Sequence, residues 1–372
     1  MRRDSNGMEQ TFIFVIGTRA QLIKVAPILV ECERRGLSAI VLMTGQHHET
    51  MQDLIQEFRI TSPQIAALPA TEHSTIRSLL RWLPAAYKGV KNRLREIGGE
   101  QTVLVHGDTL STLLGAIVGR RCGAKVVHLE SGLSSGRLLD PFPEEICRRL
   151  VFRMTDVAMC PSTEAVNYMK DNYKTEVVDT AGNTIVDAVA LTGAAEVQRN
   201  IGAPYLVVSL HRFQNIYKKR RLVHLVSLME DLSARFDVNF VLHPATRRRL
   251  ESYKLLDRIS LITRIHLRPR MGYKDFLYLA AGAECVLTDG GSNQEELAAL
   301  GVPTIVMRAH TERLDGLGAN IVMEADVKMG VKELILTGGH EDLRCLPAAL
   351  PSHSPSTRIV GALLGGHLDT HR

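Results

Sequence analysis

The sequence predicts an α/β fold of two facing doubly wound domains with a cleft between them, and three observations lead there. Short aliphatic runs alternate with Gly- or Ser-containing turns and longer segments of helical apolar spacing, the rhythm of parallel strands joined by crossover helices. That rhythm halts and restarts near mid-chain. The length, 372 residues of which 45% are apolar, suits about two domains, each able to bury a full aliphatic core.

In the first half the aliphatic runs that read as strands are 11–16, 38–43, 102–106, 125–129, 157–160 and 176–179. In the second half they are 205–210, 238–242, 262–267, 285–288, 304–307 and 320–323. Between the halves, Ala181-Gly182-Asn183-Thr184 opens a short helix, and 193–204 is punctuated by Gly and Pro like a linker. The expected domains are therefore 1–190 and 191–355, with a loop at 347–355 and a last helix over 356–372. Open α/β sheets bind ligands at the carboxyl ends of their strands, so two facing domains would place both sets of strand ends at one cleft.

Composition narrows the function. The formal charge of +5 is dispersed and only 5% of residues are aromatic, which argues against nucleic acid and for an anionic small molecule. The longest apolar runs, such as 12–16 and 205–208, fall far short of the roughly 20 residues that span a bilayer, so no membrane association is expected. The polar start, 1–10, lacks the apolar stretch of a secretory signal, and a cytoplasmic location is expected. Six scattered cysteines, without a Cys-x-x-Cys pair or a Cys/His cluster, point to neither disulfides nor a metal site.

Residues that carry chemistry recur just after strands. Gly17-Thr18-Arg19 to Lys24 leaves the first strand for a helix start flanked by two cations, which suits phosphate; a plain helix start is the alternative. Asp108, in His106-Gly107-Asp108-Thr109, stands either as a cleft carboxylate or as a helix N-cap. Glu130 follows the next strand, and Glu144 and Glu145 follow Pro143, where one of the two serves only as favourable charge in a first helical turn. Grouped carboxylates raise one another's proton affinity and suit acid and base roles. In the second half, His211-Arg212 suits a diphosphate or a proton transfer, and Phe276 either stacks on a base or packs in the core. Asp289-Gly290-Gly291-Ser292, leading to Glu295-Glu296, combines close backbone approach, a helix start for phosphate, and a Glu able to accept from vicinal ribose hydroxyls. Arg308 and Thr311-Glu312-Arg313 follow.

With these motifs in order, the chain resembles the UDP-N-acetylglucosamine 2-epimerase family over nearly its whole length. The family's Gly-Thr-Arg-Pro-Glu-x-Ile-Lys is similar to Gly17 to Lys24, its Thr-x-Gln-His to Thr44 to His47, and its His-Gly-Asp-Thr to His106 to Thr109. Its His-x-Glu-x-Gly-Leu is similar to His128 to Leu133, and its Pro-x-Pro-Glu-Glu-x-x-Arg to Pro141 to Arg148. Gly182-Asn183-Thr184, His211-Arg212, Gln294-Glu295-Glu296 and Thr311-Glu312-Arg313 complete the likeness.

The resemblance implies two Rossmann-like domains of the GT-B-like kind shared with a large glycosyltransferase class, a homodimer, and a last helix that docks back on the first domain. It implies that UDP is eliminated across the first and second sugar carbons and adds back to a 2-acetamido-glycal, with no cofactor. It places Arg19, Lys24, Arg148, Arg212, Phe276, Gly291, Ser292, Glu296 and Arg313 around the UDP-sugar, with Asp108, Glu130 and Glu144 as acid/base groups and His211 near the phosphates. The sequence departs from the family at Ala20-Gln21 for Pro-Glu, Ser134-Ser135 for Arg-Thr, Cys147 for Asn and Gln214 for Glu, and the hydroxyl of its 289–292 loop has moved. The substrate that the resemblance implies is a UDP-N-acetylhexosamine, plain or modified. The alternatives are a hydrolysing epimerase that releases UDP and a glycosyltransferase.

Overall fold

The computed structural model describes residues 10–46, 51–69, 76–134, 136, 143–199, 202–311, 313–349 and 353–365. Two compact units divide the chain, Met1–Ala188 with Leu350–Arg372, and Val189–Ala349.

The first unit holds β1 (Thr11–Ile16), β2 (Ala39–Met43), β3 (Gln64–Ala66), β4 (Gln101–His106), β5 (Lys125–Leu129), β6 (Val157–Cys160) and β7 (Glu176–Asp179). They form one parallel sheet in the order β3-β2-β1-β4-β5-β6-β7. Its helices are α1 (Arg19–Arg34), α2 (Gln52–Glu57), α3 (Ile76–Ile97), α4 (Leu110–Arg121), α5 (Glu144–Phe152) and α6 (Thr163–Asn172), and the unit boundary falls within α7 (Ile185–Thr192). The second unit holds β8 (Tyr205–Ser209), β9 (Asp237–Val241), β10 (Ile265–Arg268), β11 (Cys285–Thr288), β12 (Thr304–Val306) and β13 (Ile321–Met323). These are again all parallel, in the order β10-β9-β8-β11-β12-β13. With them come α8 (Phe213–Ile216), α9 (Lys219–Ser233), α10 (Pro244–Ser252), α11 (Leu256–Ser260), α12 (Tyr273–Ala281), α13 (Gly291–Leu300) and α14 (Val331–Leu336). The last helix, α15 (Pro355–Leu363), packs on α1 in the first unit, where Ser356 donates its backbone N–H to Asp187.

Both sheets are doubly wound, so the α/β class read from the sequence holds. Central strands are buried on both faces and read as unbroken aliphatic runs for that reason. Ile13, Val15, Val103 and Val105 pack with Leu114 and Val118 of α4, while Leu206, Val208, Phe240 and Leu287 pack with Leu222, Leu225 and Met229 of α9. Gly115 lets α4 lie close on its sheet: a Cβ there would stand 2.7 Å from Val105 Cγ1.

The differences from the expected elements are local. β3 has no aliphatic run, because its three residues at the sheet edge are half-buried or exposed. β10 starts later than expected because Ile262 is used to close the turn after α11, with its N–H on the carbonyl of Ile259. The expected last helix ends at Leu363, and residues 366–372 lie outside the described ones. No helix among the described residues is long and apolar enough to cross a membrane.

The strand orders mark two places where the winding reverses, between β1 and β4 and between β8 and β11. Crevices for ligands open at such switch points, beyond the carboxyl ends of the strands.

Candidate active site

At the first switch point, the turns after β1 and β4 are locked together by Gln21. Its Oε1 accepts the backbone N–H groups of Gly17 and Thr18 at 2.9 and 3.1 Å. Its Nε2 donates to the carbonyl of His106 at 2.7 Å and to the hydroxyls of Thr109 and Thr112 at 3.0 Å each. Thr18 caps α1 and Thr109 caps α4. The capping alternative for Asp108 is thereby removed, and its carboxylate instead meets Arg148, Oδ2 to Nη2 at 2.6 Å. Both groups keep some exposure, 26% and 17%.

The turn that carries Asp108 rests on His128. This wholly buried ring lies 2.8 Å through Nε2 from the carbonyl of Gly107 and 3.0 Å through Nδ1 from the hydroxyl of Ser131. Burial drives its pKa down to about 4, so the ring is neutral at pH 7. A carbonyl only accepts, so the proton belongs on Nε2, and Nδ1 accepts from Ser131.

Glu130 sits in the left-handed region at φ 57°, a conformation that costs an ordinary side chain free energy and is held by its surroundings. Its carboxylate receives Lys24 Nζ at 2.8 Å and Asn183 Nδ2 at 2.9 Å, with His106 Nε2 at 3.4 Å. Lys24, expected at the phosphates, is buried against this carboxylate, and Arg19, expected there too, makes a two-pronged pair with Asp53 at 2.5 Å on each arm. That guanidinium holds the Asp53 carboxyl below its usual range.

The two glutamates at the start of α5 separate cleanly. Glu145 is fully buried and takes Ser134 Oγ at 2.6 Å, Arg149 Nε at 2.9 Å and Arg148 Nη1 at 3.4 Å, so it anchors the helix. Glu144 is half-buried, and its Oε2 has no hydrogen-bond partner among the described residues. Cys147 lies near both remaining carboxylates: its thiol is pushed up to about 11, first by burial and then by Asp108 and Glu144.

At the second switch point the organising group is Asp289, fully buried at the end of β11. It accepts the backbone N–H groups of His211 and Arg212 at 2.9 Å and Asn215 Nδ2 at 2.8 Å, and it lies 3.3 Å from His211 Nδ1. The loop after β8 is thus bound to the loop that enters α13. Among the described residues no side chain caps α13, so its first N–H groups are open to an anion. Two guanidinium groups converge there: a Cβ on Gly291 would stand 3.5 Å from both Arg212 Nη2 and Arg313 Nε. Arg313 also pairs with the buried Glu295, and its loop is fixed by Gln294, which donates to the carbonyls of Arg313 and Asp315 and accepts from Thr311. Ser292 is half-buried in the first turn of α13, Glu296 is buried one turn in, and Phe276 is half-buried on α12. The ring of His243, which caps α10, lies 5.6 Å from that of His211.

Of the motif residues named from sequence, His47, Ser135, Pro141, Phe142 and Glu312 lie outside the described residues. The work of Asp289, Gln21 and His128 was missed, since each acts on backbone groups that no residue spacing displays. The signal available for Asp289 was an acid directly after a short, mostly aliphatic strand. Among the described residues, one group has ligand atoms close enough for a metal, Glu284 with His340 and Glu341, but Arg199 already neutralises Glu284 through a 2.7 Å bond.

The profile of the UDP-N-acetylglucosamine 2-epimerase family matches residues 30–336. A UDP-N-acetylglucosamine 2-epimerase of Methanocaldococcus jannaschii is 30% identical over 328 residues, covering 83% of this chain and 87% of the relative. A UDP-GlcNAc 2-epimerase structure from the same organism, solved in complex with UDP-GlcNAc and UDP, aligns with a TM-score of 0.75 at 27% identity, over 96% of this chain and 100% of that one. The UDP-GlcNAc 2-epimerase of Neisseria meningitidis bound to UDP-GlcNAc, at 23% identity and a TM-score of 0.78 over 96% and 100%, shares the fold. With a profile match over residues 30–336 and a relative alike along most of both lengths, the chain belongs to the UDP-N-acetylglucosamine 2-epimerase family.

Proposed function

We propose that the protein is an isomerase that interconverts UDP-N-acetylglucosamine, plain or modified, with its 2-epimer without net hydrolysis. In the forward step a carboxylate takes the proton from the second sugar carbon while the bond from the first carbon to the diphosphate oxygen breaks. The electron pair leaves on UDP and a 2-acetamido-glycal forms. In the return step a carboxylic acid protonates the second carbon from the opposite face and UDP adds back to the first.

The observation that carries this reading is the grouping of carboxylates with unequal surroundings at the first switch point. Among the described residues, Asp108 has one ion-pair partner and keeps 26% exposure, Glu144 has an unpartnered oxygen, and Glu130 is engaged by Lys24, Asn183 and His106. Carboxyl groups in unlike environments are suited to opposite protonation states, which a base and an acid require. Asp108 and Glu144 are the proton carriers of the proposal, with Glu130 the third acid/base candidate and Arg148 the cation that meets Asp108. Departure of UDP needs fixed positive charge, and Arg212, Arg313, His211 and the open N–H groups of Gly291 and Ser292 suit it. Glu296 and Phe276 are assigned to the ribose and the uracil on the family resemblance. Arg19 and Lys24 act in this proposal by holding Asp53 and Glu130 in place. Homodimeric assembly, which rests on the resemblance, and a cytoplasmic location belong to the same proposal.

Incubation with UDP-GlcNAc in deuterium oxide, followed by NMR, tests the reading. Deuterium at the second sugar carbon together with UDP-ManNAc is the expected result. Free UDP with ManNAc would instead establish hydrolysis, and exchange confined to a modified UDP-sugar would locate the specificity. No exchange with any of them sinks the isomerase reading.

A further inference from the structure

Apart from the two switch points, the second unit carries a concentration of positive charge that the proposed reaction does not use. Residues 213–221 contribute Lys218, Lys219, Arg220 and Arg221 with no acid, and residues 244–254 contribute Arg247, Arg248, Arg249 and Lys254 with one, Glu251. Side-chain contacts bring the two segments together. Tyr253 donates its hydroxyl to the carbonyl of Tyr217 at 3.0 Å, and the Arg249 guanidinium lies 3.8 Å above the Tyr217 ring. Lys219 lies 5.9 Å from the centre of the Tyr253 ring. Arg221 is spent on Glu324 and Arg247 on Glu251. Among the described residues, Lys218, Lys219, Arg220 and Arg248 are exposed and have no carboxylate partner.

Local stability does not account for this arrangement. α9 begins with Lys219, Arg220 and Arg221, has no acid in its first turn, and receives no side-chain cap from Lys218. Cations at the positive end of a helix dipole are disfavoured, and crowding four of them adds mutual repulsion. Beside them stands an apolar ridge. Phe213 is 63% exposed and stacks on Tyr217 with ring centres 4.3 Å apart and planes at 21°.

We propose that this ridge, Phe213 and Tyr217 flanked by Lys218, Lys219, Arg220 and Arg248, docks the protein peripherally on an anionic lipid membrane. Long basic side chains gather at anionic headgroups, and aromatic rings with a polar edge settle at the interface depth. Nucleic acid fits less well, because single strands are held by open ring faces. Both faces of Tyr217 are already taken, one by Phe213 and the other by Arg249, which leaves the outer face of Phe213 alone.

Sedimentation of the full chain with vesicles of phosphatidylcholine and phosphatidylglycerol, and with vesicles of phosphatidylcholine alone, tests the proposal. Binding to the mixed vesicles, little to the neutral ones, and release at high salt are expected, since screening shortens from about 10 Å at 0.1 M to about 3 Å at 1 M. The triple variant Lys218→Glu, Arg220→Glu, Arg248→Glu should weaken vesicle binding about tenfold or more, with its thermal melting not lowered and its deuterium exchange on UDP-GlcNAc unchanged. Phe213→Ser should weaken binding while leaving its salt dependence. Equal binding to neutral vesicles, no vesicle binding at all, undiminished binding by the triple variant, or displacement of vesicles by a single-stranded RNA oligomer each overturns the proposal.

Discussion

Lowering the pH should destabilise the protein through His128, by an amount that its surroundings set. The ring is wholly buried and its pKa is drawn from 6.5 down to about 4, because desolvation penalises the imidazolium. Above 6.5 neither the folded nor the unfolded chain binds the proton, and the contribution to stability is constant. Between 6.5 and about 4 the unfolded chain takes up the proton and the folded chain does not, so stability falls with pH across that window. A gap of about 2.5 units at 1.36 kcal/mol each makes the full loss about 3 kcal/mol. Urea unfolding of the wild type and of His128→Gln, each followed from about pH 7 to about pH 4, isolates the effect. Glu31 and Asp53, whose carboxyls their arginine partners hold below the usual range, lose stability only as the pH falls towards their lowered pKa values, and they do so in both proteins. The stability advantage of the wild type should therefore shrink by about 3 kcal/mol from neutral to acid. Parallel curves would refute the argument, for they would mean that the ring is reached by water or carries its proton in the folded state.

Asp108→Asn should lower deuterium exchange by about 10²–10⁴, the range for loss of a general base. UDP affinity should stay within about tenfold and stability within about 1 kcal/mol, since the pair with Arg148 is partly exposed; retained exchange removes Asp108 from the acid/base set. Gly291→Ala should weaken UDP binding about tenfold or more, because the new methyl occupies the ground between Arg212 and Arg313. Its melting temperature should not fall, as among the described residues no side chain from another element lies nearer to that methyl than 3.5 Å, and calorimetric titration showing unchanged UDP affinity counts against an anion site there. Asp289→Ala strips the partners from two backbone N–H groups and Asn215, which should cost about 2–4 kcal/mol in chemical unfolding. It should also lower UDP affinity by freeing the loop of His211 and Arg212, and a stability change under about 1 kcal/mol would show the loop to be held by other means.

What the sequence made legible follows from what each feature depends on. Strands buried on both faces announce themselves as aliphatic runs, so β1, β5, β6 and β11 match their expected residues end to end; the edge strand β7 does so through its two half-buried valines, while β3, with one half-buried residue, left no trace. Carboxylates at strand ends were legible as a set, because strand ends face the crevice in any doubly wound sheet. Their division of labour was not. Glu144 and Glu145 are adjacent and chemically identical, and only the positions of Ser134, Arg148 and Arg149 show which of them anchors α5. The partners of the cations were illegible for the same reason: Arg19 and Lys24 look suited to phosphate, and only the structure shows Asp53 and Glu130 against them.

Gln21 shows that a departure from a family motif is to be weighed by its hydrogen bonds and not by its letter. The family's glutamate offers only acceptors when ionised, whereas the site around residue 21 asks for both kinds of group. Two backbone N–H groups, of Gly17 and Thr18, face one end of the side chain, and the carbonyl of His106 faces the other. The hydroxyls of Thr109 and Thr112 can rotate to donate, but a carbonyl cannot, so a carboxylate would set two acceptors against each other at 2.7 Å in a buried place. Glutamine meets every partner, and both capping boxes close around it. The substitution therefore preserves the turn on which Asp108 stands.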